Sequence, residues 1–350
     1  ARSSAPDWRG HMNPLIVLLP AFAYVIVVII VNRSRKVKAR IVDLRQRAGL
    51  PDMAGNEISV STWNLGYAGL GSASDFIKDG GTRMFPPSRD AVRGNLAGIV
   101  ETASHLDVDV ALFQEVAGAS PLNYWIALDA ALADTMGGRQ YWFRHDVSTW
   151  GVPRPLRLKH GSVLASRVTA RRAEIVPLPQ ESDPMLGLVV RLYALQVVTI
   201  ASTDGGPDWV IINLHFSAFD DGARLRHEQL QAAFDFAQAR YRQGCRVIMG
   251  GDWNLILMHT DFESNTPDEF LSWIHDLPRD WVPEDWTVAV DPARPTVRTL
   301  YKPYVPGENF TGIIDGFIVS PNIEVVEVET RDTGFMHSNH EPVTARFRGR

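Results

Sequence analysis

The chain has a single cysteine, Cys245, in 350 residues. No disulfide can form within it, and thiolates alone cannot build a zinc site, which fits a reducing compartment. Low-complexity tracts are also missing. With 27 Gly and 22 Pro the usage is ordinary, so collagen-like and Pro/Gly-rich disordered classes are excluded. Nor is there an excess of positive charge. The net charge is −5, and residues 1–40 hold seven Lys/Arg against one Asp, leaving 28 basic and 39 acidic side chains beyond them. A body of net charge −11 behind a +6 head gains no overall attraction for polyphosphate chains, so long nucleic acid is the less favoured partner. What remains, 45% hydrophobic and 21% charged, is the composition of an ordinary globular chain.

The one long apolar run is Pro14 to Val31, PLIVLLPAFAYVIVVIIV. Eighteen such residues suffice for a helix across a hydrocarbon core, and Pro20 is tolerable there. Arg33, Arg35, Lys36, Lys38 and Arg40 follow the run, against Arg2 and Arg9 before it. The positive-inside bias then places the following domain in the cytoplasm, giving a single-pass membrane protein. The expected organisation is a tail or expression remnant at 1–13, a transmembrane anchor at 14–31, a basic juxtamembrane linker at 32–56 and a catalytic domain at 57–350.

Short β-rich runs recur through the body: Ile58–Trp63, Val108–Phe113, Gly161–Ser166, Leu188–Thr199, Trp209–Leu214, Arg246–Met249, Ile313–Val319 and Ile323–Val328. Apolar residues at three- and four-residue steps predict helices over Arg89–Leu106 and Asp221–Arg242. Strands outnumber helices and do not alternate with them strictly. This predicts an α/β arrangement of sheet packed on sheet with helices outside, rather than a doubly wound parallel sheet.

Polar clusters stand at the ends of these runs: Trp63-Asn64, Gln114-Glu115, Asn213-Leu214-His215, Gly250-Gly251-Asp252-Trp253-Asn254, Ile314-Asp315-Gly316 and Ser338-Asn339-His340-Glu341-Pro342. Singly, each reads equally well as a turn or a satisfied surface group. In this order, through SVSTWNLGYAGLG, VALFQEVAG, VIINLHFSAFD, VIMGGDWN, IIDGFIVSPN and SNHEPV, the chain from about Ile58 to Phe347 resembles the endonuclease/exonuclease/phosphatase superfamily, as a membrane-anchored, bacterial-type member. The resemblance implies a four-layer α/β sandwich of the deoxyribonuclease I type, with two packed mixed β-sheets flanked by helices. It also implies a Mg²⁺ ion, for which Mn²⁺ could substitute, and hydrolysis of a phosphoric ester by an activated water.

The residue types suit that chemistry. An attacked phosphate ester needs a hard cation, donors to its equatorial oxygens and a carboxylate that orients the water. On the resemblance, Glu115 is the metal ligand, with Asn64 beside it and Asn339 at the third metal position. Asp252 orients or deprotonates the water, Asn254 and His215 donate to phosphoryl or leaving-group oxygens, and Asp315 fixes His340, which binds phosphate or serves as the base. Asn339 departs from the family's usual Ser-Asp-His, and losing that carboxylate is expected to weaken the metal site. Arg298 and Lys302 are candidate substrate-binding residues. Arg224-x-Arg226-x-x-Gln229 reads either as a family pattern or as a helix-packing face, and the Gly-rich stretch Gly66–Arg93 as a lid or a plain loop. The leading expectation is a membrane-anchored, Mg-dependent hydrolase of a phosphorylated small molecule, phospholipid head group or nucleotide. A DNA or RNA nuclease and a catalytically weakened scaffold are the alternatives.

Overall fold

The computed structural model describes residues 14–181, 189–203, 205–218 and 221–350. The expected tail at 1–13 lies outside these residues, as does Leu188, where one strand run was expected to begin. The apolar run forms helix α1 (Pro14–Ser34). The helices α2 (Arg89–Ser104), α3 (Leu128–Thr135) and α4 (Arg224–Arg242) belong to the body. Its strands in chain order are β1 (Arg40–Val42), β2 (Met53–Ala54), β3 (Glu57–Asn64), β4 (Val110–Ala117), β5 (Gln140–Ser148), β6 (Lys159–Ser166), β7 (Arg172–Pro177), β8 (Ala194–Ser202), β9 (Trp209–His215), β10 (Arg246–Asp252), β11 (Thr287–Ala289), β12 (Val297–Arg298), β13 (Thr311–Gly312), β14 (Asp315–Val319), β15 (Ile323–Thr330) and β16 (Val343–Gly349).

Two mixed sheets result. One runs β1-β7-β8-β9-β10-β14-β11 with β2 on β8, and the other runs β15-β16-β3-β4-β6-β5. Period-two alternation explains why they stack. In β4, Val110 and Leu112 enter the core between the sheets, while Ala111 and Phe113 face α2 and α3 through Val92, Ile99 and Leu132. In β9, Trp209 and Ile211 face inward, while Val210 and Ile212 meet Leu230, Phe234 and Ala237 of α4. The layers are therefore helix, sheet, sheet, helix, the expected sandwich. Ser88 caps α2, its Oγ accepting from Ala91 N at 3.0 Å.

Three departures from the sequence reading have physical causes. The 32–56 stretch, expected as a linker, is stitched to the first sheet, with β1 pairing β7 and β2 pairing β8. Strands β5 and β7 carry interrupted alternation: Arg144 of β5 is buried because its guanidinium donates to Leu192 O across a sheet edge. The Gly66–Arg93 stretch is a fixed wall. The Arg298 guanidinium donates to Leu70 O, Gly71 O and Ser74 O, and Phe76 N donates to Leu300 O at 2.8 Å.

Helix α1 meets the body along one face. Tyr24, Val28 and Asn32, four residues apart, line up on the turn after β5. Asn32 Nδ2 donates to Trp150 O at 3.0 Å, Asn32 Oδ1 accepts from Trp150 N at 2.8 Å, and the Tyr24 hydroxyl donates to Gly151 O. Leu18, Leu19, Phe22, Val27 and Ile30 are exposed. The side chains of the helix's first turn lie outside the described set, and among the described residues no helix is long and apolar enough to cross a membrane.

The two sheets are clamped by buried amides. Gln114 Nε2 donates to Asn213 Oδ1 at 2.8 Å and to Thr62 Oγ1 at 3.1 Å; Asn213 Nδ2 donates to Gln196 Oε1 and to Val163 O, each at 3.0 Å; Gln196 Nε2 donates to Trp142 O at 2.8 Å. Asn213→Leu strands three buried groups of this network and should lower unfolding free energy by about 3 kcal/mol or more. Chemical denaturation checks it; a loss below about 1 kcal/mol means that the amides do not join the sheets.

Candidate active site

The inward-facing positions of the strands form a graded stack. Apolar residues fill the middle, the amides Gln114, Asn213 and Gln196 follow, and the next inward positions are Asn64, His215 and Asp252. Strand register sets them side by side. Asp252 is paired with His215 on one neighbouring strand and with Asp315 on the other, and Asn64 is paired with Gln114. Gly251 lets β10 lie this close, since a Cβ there would sit 2.0 Å from Leu214 O.

Asp252 is held from two sides: Oδ1 accepts from Asn254 N at 2.9 Å and Oδ2 from Asn64 Nδ2 at 2.8 Å. His215 Nε2 lies 3.4 Å and His340 Nε2 3.8 Å from Asp252 Oδ2. His340 Nδ1 meets Asp315 Oδ2 at 2.8 Å, and its backbone is pinned by Trp63 Nε1 donating to His340 O at 2.9 Å. Asn254 Nδ2 donates to Phe216 O at 3.0 Å. The sequence-derived set Asn64, Glu115, His215, Asp252, Asn254, Asn339 and His340 lines one cleft of about 850 Å³, with Asp315 directly behind His340.

Glu115 reaches the cleft by a backbone irregularity. By alternation it would face α2 and α3, opposite to Gln114. A bulge falls between Phe113 and Val116, and Glu115 has φ +51°, which turns its carboxylate to 3.9 Å from His215 Nε2. A non-glycine residue in this region is strained, and bulges of this kind re-aim side chains at active sites.

Electrostatics divides the two histidines. Burial opposes charge on His340, but Asp315, then Asp252, outweigh it and lift the imidazole to about 9. Asp315 is itself lifted by burial. His215 goes the other way: burial first, then Arg191, press it well below the ordinary range. Arg191 Nη2 donates to His215 Nδ1 at 2.6 Å. A guanidinium has no acceptor, so Nδ1 is unprotonated and the His215 proton sits on Nε2, facing Asp252 and Glu115. Arg191 is anchored by Asp146, whose Oδ2 accepts from Nε at 3.1 Å, while Asp146 Oδ1 meets His160 Nδ1 at 2.8 Å. Against its burial, His160 and Arg191 hold Asp146 well below the carboxylate range. Sequence reasoning missed Asp146, His160 and Arg191. None sits in a cluster of polar residues at a strand end, and only the buried charge alternation in RHDVS of β5 could have flagged them.

Two expected residues stand elsewhere in role. Arg298 is 1% exposed and donates to Thr299, Leu70, Gly71 and Ser74 carbonyls, bracing the cleft wall. Lys302 pairs with Glu308 and does not line the cleft. The Arg226 and Gln229 side chains are packing struts: Arg226 Nη1 donates to Asn254 O at 2.6 Å, and Gln229 Oε1 accepts from Ser217 N at 2.8 Å. Asp79, also missed, lines the cleft; burial, with the Glu115 charge adding, raises its carboxyl to about 7 against Arg298 and His340.

A divalent cation is implied by the resemblance, and the donor set fits one. Asn339 Oδ1 is buried with no hydrogen-bond donor, on the cleft wall that also presents Glu115 and Asn64. Asn64 Oδ1 accepts from Gly66 N at 3.0 Å and keeps a lone pair. Asp252, Asp315 and His340 also bring three donor atoms within 4.8 Å of one another. In that trio Asp315 Oδ2 is bonded to His340 and both Asp252 oxygens to Asn64 and Asn254, while Asp315 Oδ1 is buried without a partner.

Comparison with known proteins agrees with this fold. Residues 61–334 match the Endonuclease/Exonuclease/phosphatase family. Among solved structures, the chain is similar to an endonuclease/exonuclease/phosphatase from Beutenbergia cavernae, at 21% identity, TM-score 0.55, covering 84% of this chain and 72% of that one. It is similar to a D. rerio TDP2 humanized by 14 mutations, at 13% identity and TM-score 0.53, covering 84% and 99%. It is also similar to ANGEL2, a 2',3'-cyclic phosphatase, in complex with adenosine-2',3'-vanadate, at 13% identity and TM-score 0.54, covering 90% and 99%. No curated protein sequence matches the chain.

The His340 pair gives a pH prediction. Because the folded-state value is raised above the ordinary 6.5 to about 9, its stabilisation is complete below 6.5 and is lost as pH rises through 9. Turnover should fall over the same alkaline range. Asp315→Asn removes the main raising charge, so the alkaline limb should move to lower pH; imidazole NMR titration alongside a pH–rate profile checks it, and an unmoved limb assigns that limb to another group.

Proposed function

The chain belongs to the Endonuclease/Exonuclease/phosphatase family and is a phosphoric ester hydrolase, and from that premise we propose that it acts, with a divalent cation, on a phosphorylated small molecule or phospholipid head group beside a membrane. One observation carries the catalytic reading. Asp252, His215 and the Asp315–His340 pair stand in a row at the cleft floor, each oriented by a hydrogen-bond partner.

Glu115 would hold the cation, Mg²⁺ by preference, with Asn64 and Asn339 offering neutral oxygens; when bound it supplies positive charge to the phosphoryl oxygens. The protein's own groups do the rest. His340, kept protonated by Asp315, gives an N–H and a positive charge to a non-bridging phosphoryl oxygen. His215 gives a neutral Nε2–H, to the leaving-group or another phosphoryl oxygen. Asp252 is immobilised by Asn64 and Asn254 with its Oδ2 toward both histidines, where it orients a water and accepts its proton. Asn254 keeps one amide hydrogen for the phosphate after donating the other to Phe216 O.

The substrate reading rests on the cleft walls. A volume of about 850 Å³ suits a compact ligand. One wall is apolar, with Leu122, Val147 and Leu158, and Val147 and Leu158 flank the turn that Asn32 of α1 grips. We read α1 as a membrane anchor because its outward face is continuously apolar and basic residues follow it. On this reading the catalytic domain is cytoplasmic. A second reading, a nuclease or nucleotide phosphoesterase, is favoured by the ligands of similar structures: a single-strand DNA product with D. rerio TDP2 and adenosine-2',3'-vanadate with ANGEL2.

Glu115→Gln and His340→Ala should each cut metal-dependent turnover by about 10²-fold or more, and chelation should abolish it. The assay panel is phosphomonoesters, phospholipid vesicles and single-stranded DNA. Parent-like turnover by both variants on every substrate would leave the scaffold reading; faster turnover of DNA than of any lipid or small ester would install the nuclease. Vesicle-bound full chain should resist alkaline carbonate extraction, and its release would remove the anchor.

A further inference from the structure

The turn that α1 grips lies beside the apolar run, not beyond its end. Tyr24 and Val28 precede Val31, the last residue of the run, and both meet Gly151: the Tyr24 hydroxyl donates to Gly151 O, and a Cβ at Gly151 would sit 3.0 Å from Val28 Cγ2. At about 1.5 Å of rise per residue, the turn sits roughly 5–10 Å back from the end of the run. The medium that surrounds α1 at that depth therefore also surrounds the tip of the β5–β6 hairpin.

The tip is made for an apolar medium. Trp150 and Leu156 on the hairpin and Trp125 on the neighbouring loop are 50%, 58% and 50% exposed, and large apolar side chains grouped in this way mark a contact surface. The backbone beneath them is paired. Trp150 N and O bond the Asn32 amide, Ser148 O accepts from the Arg35 guanidinium and Pro155 O from Trp125 Nε1. Pro153 O accepts from Leu156 N at 3.0 Å and Arg154 O from Arg157 N at 3.3 Å, while Pro153 and Pro155 bring no N–H of their own. Irregular backbone at lipid depth is tolerated where the protein itself satisfies its polar groups, as α1 and the turn do here.

Charge selects the kind of surface. Residues 32–42 carry five Lys/Arg and residues 147–160 carry three, with no Asp or Glu in either stretch, on a body that is acidic overall. Lys36, Lys38 and Arg154 are exposed. Indole rings with basic neighbours settle among the head groups of an anionic leaflet.

We infer that the tip of the β5–β6 hairpin is a second membrane contact, lodging Trp150, Leu156 and Trp125 in the head-group layer of an anionic phospholipid leaflet beside α1. This rests on the reading of α1 as an anchor. The body is then held at two points and does not swing on one helix. Val147 and Leu158, on the two arms of this hairpin, line the cleft, so the contact fixes how the cleft is oriented to the leaflet.

The test uses the full chain with Cys245→Ala, reconstituted in vesicles and carrying an environment-sensitive dye on Leu156→Cys at the tip or on Ala239→Cys on the exposed face of α4. On vesicles containing phosphatidylserine, the tip dye should be quenched by nitroxide-labelled acyl chains and be several-fold less open to aqueous iodide than the α4 dye. Lys36→Gln with Arg154→Gln removes two surface charges and should lower the ratio of lodged to free tip about 30-fold, read as recovered iodide quenching, with thermal unfolding unchanged. Shielding as strong on phosphatidylcholine alone rejects the anionic preference. Equal iodide quenching of the two dyes, on a chain that resists carbonate extraction, overturns the tip contact and leaves the anchor standing. If the chain is extracted and neither dye meets the nitroxide lipid, the anchor is lost and the tip contact with it. Tip shielding that grows with the protein-to-lipid ratio, without nitroxide quenching, gives the patch to a second copy of the chain and likewise overturns the inference.

Discussion

The structure depends on a polar clamp between two sheets that could otherwise slide. Gln114, Asn213 and Gln196 satisfy one another; Gln114 also reaches Thr62 in its own sheet, while Asn213 and Gln196 reach Val163 and Trp142 in the opposite one. Apolar contacts between sheets are non-directional and tolerate small shifts, whereas buried amides lose their compensation if displaced by an ångström. Two clamp residues adjoin the chemistry. Gln114 precedes Glu115, and Asn213 lies two positions before His215, so the hydrogen bonds that register the sheets also fix the facing rims of the cleft.

That rigidity makes local strain affordable. Glu115 in the β4 bulge and Asn254 just after β10 hold positive φ, and Tyr67 and Ala68 do so in the turn after β3. Such residues persist only where surrounding packing over-determines them. Trp253, fully buried with Nε1 donating to Gly316 O, and Arg226, donating to Asn254 O, supply that constraint around Asn254. The outcome is a floor on which the two imidazoles differ in protonation. His340 shares its proton with a buried acid, while His215 is denied a second proton by a buried guanidinium. Two imidazoles within 4 Å of the same Asp252 oxygen are thereby given different charges.

Much of this was legible beforehand. Strand-end polar clusters survive as clusters because a sheet brings strand ends to one edge, so Asn64, Glu115, His215, Asp252, Asp315 and His340 could be gathered from their order together with the family resemblance. Arg298 and Lys302 show the opposite case. A basic residue in an aromatic-rich insertion has no periodicity to say whether it meets substrate, carbonyls or a neighbouring acid, and here the carbonyls and Glu308 took them. The Arg191–Asp146–His160 chain was invisible for a related reason: its members come from three segments, and none carries a signature without the others.

By itself the sequence determined the layer architecture, through apolar alternation in the strands and three-to-four spacing in the helices, and the identity of the acids and imidazoles at the strand ends. Only the tertiary structure decided which way those groups point and what charge they bear. Alternation would have sent Glu115 outward had the bulge not intervened, and composition cannot tell that one histidine borders a carboxylate while the other borders a guanidinium. Orientation and protonation are set by neighbours within about 4 Å, and for a chain of this topology those neighbours are mostly far away in sequence.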